Sequence, residues 1–467
     1  MTRSAPGPDR WFVILATMTG TLIPPQSTSV QPVAPDGTAA PAAPAEGGHR
    51  LPVAMIAANL GLLVAALAIE LALYGHGGHS SLSDLPRVFL HRGMGAGSIP
   101  YVDKNLEYPV GAGILFYLAS LAAPTALGVL LVTAAGAAAA SVAITVALER
   151  RCGGRAWRWA IGTPVLLYAF QNWDVFAIAA LLVGVFAFTR GRDARAGAAL
   201  GLGAAIKLFP AVLVPPFAVY RWVRGDRRGA VRLIAWSALV FGALNLPFIV
   251  ANASGWAWSF AFQGRRQATW GTVWFWFDRA VGIPVRGPAA AQLANGLSAV
   301  ALGIGMLWLL ARVIRSRGGS GSDAGVGLAG AAVAIFLLTN KVYSPTYDIW
   351  MVVFFVLLPL SRRIWIAFCA VDLLVFATVY GWFHGITSTA VLRVVLPVLV
   401  VLRAIILVRV VVVAMRGYPV AERLRSHGTP AATAAIAAAS TNSHHQDPDP
   451  PPVPPVPPDR VADAACA

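Results

Sequence analysis

The sequence predicts an all-α, polytopic membrane protein of about 12 transmembrane or partly spanning helices. Three observations carry this. The 467 residues are 57% hydrophobic and only 12% charged, about half the charged share of an ordinary soluble domain. Runs of roughly 15–25 residues pass almost without charge, long enough to cross a bilayer as helices. The net charge of +16 sits in short loops between those runs. There it reports orientation in a bilayer rather than a nucleic-acid partner.

The elements follow in order. Residues 11–23 (WFVILATMTGTLI) form a short apolar core behind Arg3 and Arg10. That run resembles a signal-peptide core and is too short to span. Residues 24–49 are rich in Pro, Ala, Thr and Ser, so 1–50 read as a disordered, low-complexity extension or as the product of a misassigned start codon. The apolar runs then fall at 52–74, 125–148, 157–171, 173–189, 196–207, 209–220, 232–251, 291–313, 324–340, 346–361, 364–381 and 387–413. Residues 109–123 are also apolar, but Pro109 and Pro124 bracket them, which predicts a helix lying against the membrane. The membrane domain thus spans 51–415. Residues 416–467 turn Ala-, His- and then Pro-rich (DPDPPPVPPVPPD), an unfolded, partly polyproline cytoplasmic tail. Cys152, Cys369 and Cys466 have neither metal-site nor disulfide spacing.

Arginine sets the expected orientation. Clusters occur at Arg150/Arg151/Arg155/Arg158, Arg190/Arg192/Arg195, Arg221/Arg224/Arg227/Arg228/Arg232, Arg312/Arg315/Arg317, Arg362/Arg363 and Arg416/Arg423/Arg425. With these runs all six land on one side, the cytoplasm by the positive-inside rule. Both termini are then cytoplasmic.

The opposite loops have a different chemistry. The first, 75–109, contains PYVDKNLEYP with Asp103, Lys104 and Glu107. A turn at FQNWDV holds Asn172 and Asp174, and AIKLFP holds Lys207. The long stretch 252–289 carries Arg265, Arg266 and a group of tryptophans. NKVYSPTYD brings Lys341, Tyr343 and Tyr347, and GWFHGITS brings His384. The chain has only three lysines, Lys104, Lys207 and Lys341, and all three fall in these loops. A compact ammonium there suits an anionic guest, while chance in an arginine-rich chain gives the same count. Charges near hydrocarbon cost about 2.5–3.5 kcal/mol at mid-bilayer, so their convergence implies a polar cavity open to the non-cytoplasmic side. The tryptophans around Trp270 suit an interfacial helix meeting lipid.

Five stretches carry a resemblance. SDLPRVFLHRGMGAGSIPYVDKNLEYP, QNWDVFAIAALLVGVFAF, AGAALGLGAAIKLFPAVLVPP, FQGRRQATWGTVW and NKVYSPTYDIW, in this order, resemble signatures of the polyprenol-phosphate-mannose-dependent mannosyltransferases. That group is glycosyltransferase family 87, of the C-type superfamily, and the likeness spans roughly 52–415. EYPV stands where the family usually shows two prolines. The resemblance implies a C-type-like, multi-pass transferase of the cell membrane with an extracytoplasmic active site. It implies a polyprenyl-phosphate sugar donor, usually carrying mannose, and a glycolipid or cell-envelope polysaccharide acceptor. It implies no cofactor and no metal. An acid of the first outer loop is then the base, and Asp84 occupies the family's early S-D position.

With that expectation Asp84 is the leading base, and Asp103 and Glu107 orient it or hold sugar hydroxyls. The alternatives are a helix N-cap for Asp84 and salt bridges to Lys104 or Arg92 for the other two. Lys207, Arg265, Arg266 and Lys341 are candidates for the donor phosphate, against snorkelling to headgroups, and Lys104 is a candidate for binding substrate. Asn172 and Asp174 hold the sugar or brace the first loop, against capping the helix from 173. Tyr343, Tyr347 and His384 line the cavity or serve as interfacial aromatics. Asp372 and Arg403, inside apolar runs, pair with helix neighbours. The competing readings are a transporter or flippase of an anionic lipid or solute, and a non-catalytic scaffold. No internal repeat of the transporter kind is visible.

Overall fold

Amides buried in hydrocarbon must find partners within their own segment, so each apolar run folds as a helix. The computed structural model describes residues 52–75, 82–95, 97–282, 287–316 and 323–417 and contains no strand among them. The chain is a polytopic all-α membrane protein. The extension 1–50, the tail from 418 and Arg317, Arg423 and Arg425 lie outside the described residues.

The helices are α1 (Val53–Gly75), α2 (Asp84–His91), α3 (Val110–Ala122), α4 (Ala126–Cys152), α5 (Trp157–Ala160) and α6 (Thr163–Tyr168). They continue as α7 (Asp174–Thr189), α8 (Asp193–Ile206), α9 (Val214–Val223), α10 (Arg227–Arg265) and α11 (Val273–Val281). The last are α12 (Gly287–Arg315), α13 (Asp323–Thr339), α14 (Asp348–Leu357), α15 (Arg362–Phe383) and α16 (Thr389–Ala414).

Six of these stretches are long and apolar enough to cross a membrane: α1, α4 with its extension to Ala160, α10, α12, α15 and α16. The outward faces of α10 and α12 carry Val231, Leu239, Val250, Ile304 and Leu307, all exposed. Such stripes suit contact with lipid. The shorter helices α7, α13 and α14 lie inside, and every residue of α14 is buried. Because short helices stop inside the bundle, the loops entering them are buried as well. That is how charged residues reach the interior.

The expected separate pass at 157–171 is instead a broken segment. Gly153, at φ 57°, ends α4, and Pro164 opens α6. Arginines cap helix ends at two places: Arg221 Nε is 2.7 Å from Asp193 Oδ1 and its Nη2 donates to Phe188 O at 2.7 Å. Arg155 and Arg158 donate to Leu358 O (3.2 Å) and Leu360 O (3.1 Å). Both groups satisfy carbonyls at helix C-termini, the end that favours cations.

α8 packs on α10 through Gly197 and Gly201, a small-xxx-small pair. A Cβ at those positions would come within 2.2 Å of Leu233 O and 2.4 Å of Ser237 O. α10 itself bends at Asn252 (φ −158°, ψ 87°), five residues after Pro247. Asn252 caps the second half: its Oδ1 accepts from Gly255 N at 3.0 Å while Nδ2 donates to Val102 O at 3.2 Å. A Cβ on Gly255 would sit 1.9 Å from Tyr101 O, so this glycine lets the first loop rest on the helix. The bend turns residues 253–265 towards that loop.

Candidate active site

A cavity of about 720 Å³ opens where the first loop, the α8–α9 turn, the second half of α10 and the 340–347 loop meet. Its walls carry Asp84, Glu107, Asn172, Lys207, Arg266, Lys341 and Tyr347 from the expected residues. These come from separate loops of the chain.

Asp84 is not the cap of its helix. Ser83 is: its Oγ accepts from Leu85 N at 3.2 Å and donates to Phe170 O at 2.9 Å. The Asp84 amide donates to Gln171 O at 2.8 Å. The carboxylate is thereby left to face the cavity, where Oδ2 accepts from the Tyr108 hydroxyl and Oδ1 lies 3.8 Å from Arg87 Nη1.

The rest of the first loop divides. Glu107 lines the cavity and pairs with Arg92, Oε2 to Nε 3.0 Å, while Gln263 Nε2 donates to its backbone carbonyl at 3.0 Å. Asp103 and Lys104 are exposed and outside the cavity wall. The Asp103 carboxylate accepts from Ile99 N at 2.8 Å and closes the turn. Tyr101, at φ 68°, pins the loop: its hydroxyl oxygen is 2.8 Å from both Tyr108 O and Pro109 O. Burial first, then the Glu107 charge, push that phenol's pKa well up.

Lys207 is buried with its Nζ 3.0 Å from Asp174 Oδ1. The ring centroids of Tyr108, Tyr347 and Trp350 stand 5.3, 5.4 and 6.0 Å from the ammonium, within cation–π range. Asp174 itself is behind the cavity wall, and Asn172 Oδ1 accepts from its amide at 2.9 Å. Asn172 therefore combines a capping bond with a place in the wall.

Lys341 is also buried, and its Nζ donates to Gly264 O at 3.3 Å and to Arg266 O. Burial, and secondarily the Arg266 guanidinium, pull its pKa down to about 8. Arg266 is half-buried in the wall, Nη1 3.3 Å from Gln263 Oε1, whereas Arg265 is exposed and outside it. Tyr343 lies beneath the wall, donating to Asp348 Oδ1 at 2.6 Å. His384 is exposed and takes no part in the cavity. Among the described residues, no group of three or more His, Cys, Asp or Glu side chains has the arrangement to hold a metal ion.

The cavity also holds Arg87, His91, Tyr108, Gln263, Asn340 and Trp350, none singled out from the sequence as site residues. Asp84, Arg87, Val88 and His91 follow an i, i+3, i+4, i+7 pattern, so one face of α2 carries them. That spacing was the available signal. Below the cavity, Tyr168 donates to Asp372 Oδ1 at 2.7 Å, and Arg403 Nη1 lies 3.1 Å from Asp348 Oδ2. The two intramembrane charges pair with helix neighbours, as expected.

A helical membrane bundle with a polar cavity lined by acid and cationic loops suits group transfer at a membrane. A family model, Glycosyltransferase family 87, matches residues 106–340, half of the chain. The chain belongs to glycosyltransferase family 87 and is a membrane glycosyltransferase, which sets aside the transporter and scaffold readings. Glu107, Asn172, Asp174, Lys207, Arg265 and Arg266 fall inside the matched span; Asp84 and Lys341 fall outside it. No curated protein and no solved structure matches the chain.

Proposed function

We propose that the enzyme moves a hexose, mannose above all, from a polyprenyl-phosphate donor to a glycolipid or cell-envelope polysaccharide acceptor. In this reading the reaction takes place at the extracytoplasmic face, both termini are cytoplasmic and no metal takes part. One observation carries it: the first-loop carboxylate of Asp84 shares a single cavity with Lys207, Arg266 and Lys341 from three other segments.

The chemistry needs few parts. An acceptor hydroxyl attacks the sugar's anomeric carbon, the bond from that carbon to the phosphate oxygen breaks, and the hydroxyl proton passes to the Asp84 carboxylate. The polyprenyl phosphate leaves as an anion and needs charge rather than a proton. Arg266 offers a planar fork suited to phosphate. Lys341 is beside it and exchanges a carbonyl partner for the phosphate when the donor enters. Lys207, neutralised by Asp174, supplies orientation more than net charge. Glu107 and Asn172 are placed for sugar hydroxyls. Asp103, Lys104, Arg265, Tyr343 and His384 act outside the cavity, through the loops they hold or through lipid.

The test is mannosyl transfer from radiolabelled polyprenyl phosphomannose in membranes that supply native acceptors. Asp84→Asn should lower expression-normalised Vmax by about 10²–10⁴-fold, the usual worth of a general base. Wild-type turnover by this variant removes Asp84 from the role.

A further inference from the structure

We propose that Tyr108 is the positioning residue for the base: its hydroxyl fixes the Asp84 carboxylate facing the cavity, while its ring face holds Lys207 alongside. This inference rests on Asp84 being the base.

The Tyr108 hydroxyl donates to Asp84 Oδ2. Asp84 Oδ1 has Arg87 at 3.8 Å, beyond hydrogen-bond length. One oxygen is therefore held and the other is left to take a proton. Tyr108 in turn has little freedom. Its ring meets the indole of Trp173 edge-on, centroids 4.8 Å apart at 71°, and Trp173 is fully buried. Its own carbonyl lies 2.8 Å from the Tyr101 hydroxyl. The next residue, Pro109, is the N-cap of α3. Ring and backbone are thus anchored separately, and the hydroxyl position follows.

The phenol remains a donor at any working pH. Burial first, then the Asp84 charge, drive its pKa well above the ordinary value. A neutral donor orients the carboxylate without cancelling its charge, whereas an ammonium at this place would neutralise it. Lys207 Nζ sits 5.3 Å from the same ring, so one side chain sets the spacing between base and cation. Charged and titratable groups around Asp84 include Arg87 on its own helix, Tyr108, Lys207 from the end of α8 and Tyr380 from α15; Glu107 shares the cavity wall, and Glu70 of α1 accepts from the adjacent Ser83 N.

The experiment is a double-mutant cycle of Tyr108→Phe and Asp84→Asn, with Vmax and donor KM measured separately using radiolabelled polyprenyl phosphomannose in native membranes. Tyr108→Phe should lower Vmax by about 10–100-fold, as misplacement of a reacting group does, with the donor KM within about twofold. Placed on Asp84→Asn, the same change should remove little further activity, since the two act as a unit. Equal losses in both backgrounds, as general unfolding would also produce, overturn the positioning role. So does a Tyr108→Phe enzyme with wild-type Vmax beside an inactive Asp84→Asn, an outcome that leaves the base intact. An active Asp84→Asn overturns both readings.

Discussion

Lys341 gives the sharpest pH test of the proposed donor site. Its ammonium is buried against two carbonyls at the end of α10, and its pKa is brought down to about 8 by burial and by Arg266. A lysine with a depressed pKa is charged below that value and neutral above it. If the donor phosphate is drawn by this charge, donor KM should stay flat from about pH 6 to 7.5. Above about 8 it should climb roughly tenfold per unit, following the loss of the charged form. Vmax at saturating donor should change much less, because bound phosphate holds the proton on. The neutral amine can still donate to Gly264 O and Arg266 O, so the loop itself stays in place. Lys341→Arg keeps its charge beyond pH 12 and should abolish the alkaline rise. Lys341→Ala should show at pH 7 the high KM that the wild type reaches only in alkali. The assay is initial-rate transfer from radiolabelled polyprenyl phosphomannose at each pH. A flat wild-type KM up to pH 9.5, or an unchanged KM in Lys341→Ala, refutes the phosphate role. Stability moves oppositely: between about 8 and the free-lysine value of 10.5 the unfolded chain holds the proton better, so folding strengthens as pH rises.

Two further perturbations probe the scaffold. Asp174→Asn leaves the buried Lys207 ammonium without its partner and should destabilise by about 3–5 kcal/mol, with Asp174→Asn/Lys207→Met recovering much of the loss; thermal unfolding in detergent measures both, and an unchanged midpoint in the single variant counts against the pair. Gly201→Leu drives a side chain against Ser237 O and should lower the yield of monodisperse protein, whereas Gly242→Leu, on the open face of α10 with nothing within 4 Å, should not; equal yields argue against close α8–α10 packing.

The helices were legible because the chain has so few charges that each apolar run stands out. Their lengths were less so. Hydropathy does not register that Gly153 and Pro164 interrupt the run near 157–171, or that α10 continues through a bend at Asn252 into residues read as loop. The site was legible where a charge breaks an apolar background, as at Lys207 and Lys341. It was not legible where a neutral side chain acts. Tyr108 and Gln263 become visible only through their partners, Asp84 and the Glu107 carbonyl. Nor does charge alone distinguish Asp84, turned inward because Ser83 takes over the cap, from Asp103, turned back onto Ile99 N.

The charges under the cavity explain why loops so distant in sequence can hold one geometry. A buried ion pair adds little stability beyond what well-packed apolar side chains provide, so the Arg403–Asp348 pair is better understood by what it connects. Arg403 Nη2 donates to Gly271 O at 2.6 Å, and its guanidinium lies 3.7 Å from the centroid of Tyr343, whose hydroxyl donates to the same Asp348. Thr269 N donates to Lys341 O at 3.0 Å, and Thr269 Oγ1 accepts from Tyr343 N at 2.9 Å. One guanidinium on α16 thus ties the start of α14, the turn before α11 and the loop bearing Lys341 into a single bonded set. Each of these bonds is directional, and an apolar core of equal volume would let the loops slide. For the donor phosphate proposed above, which the cavity's cations would have to meet in a fixed geometry, that rigidity matters more than the pair's free energy.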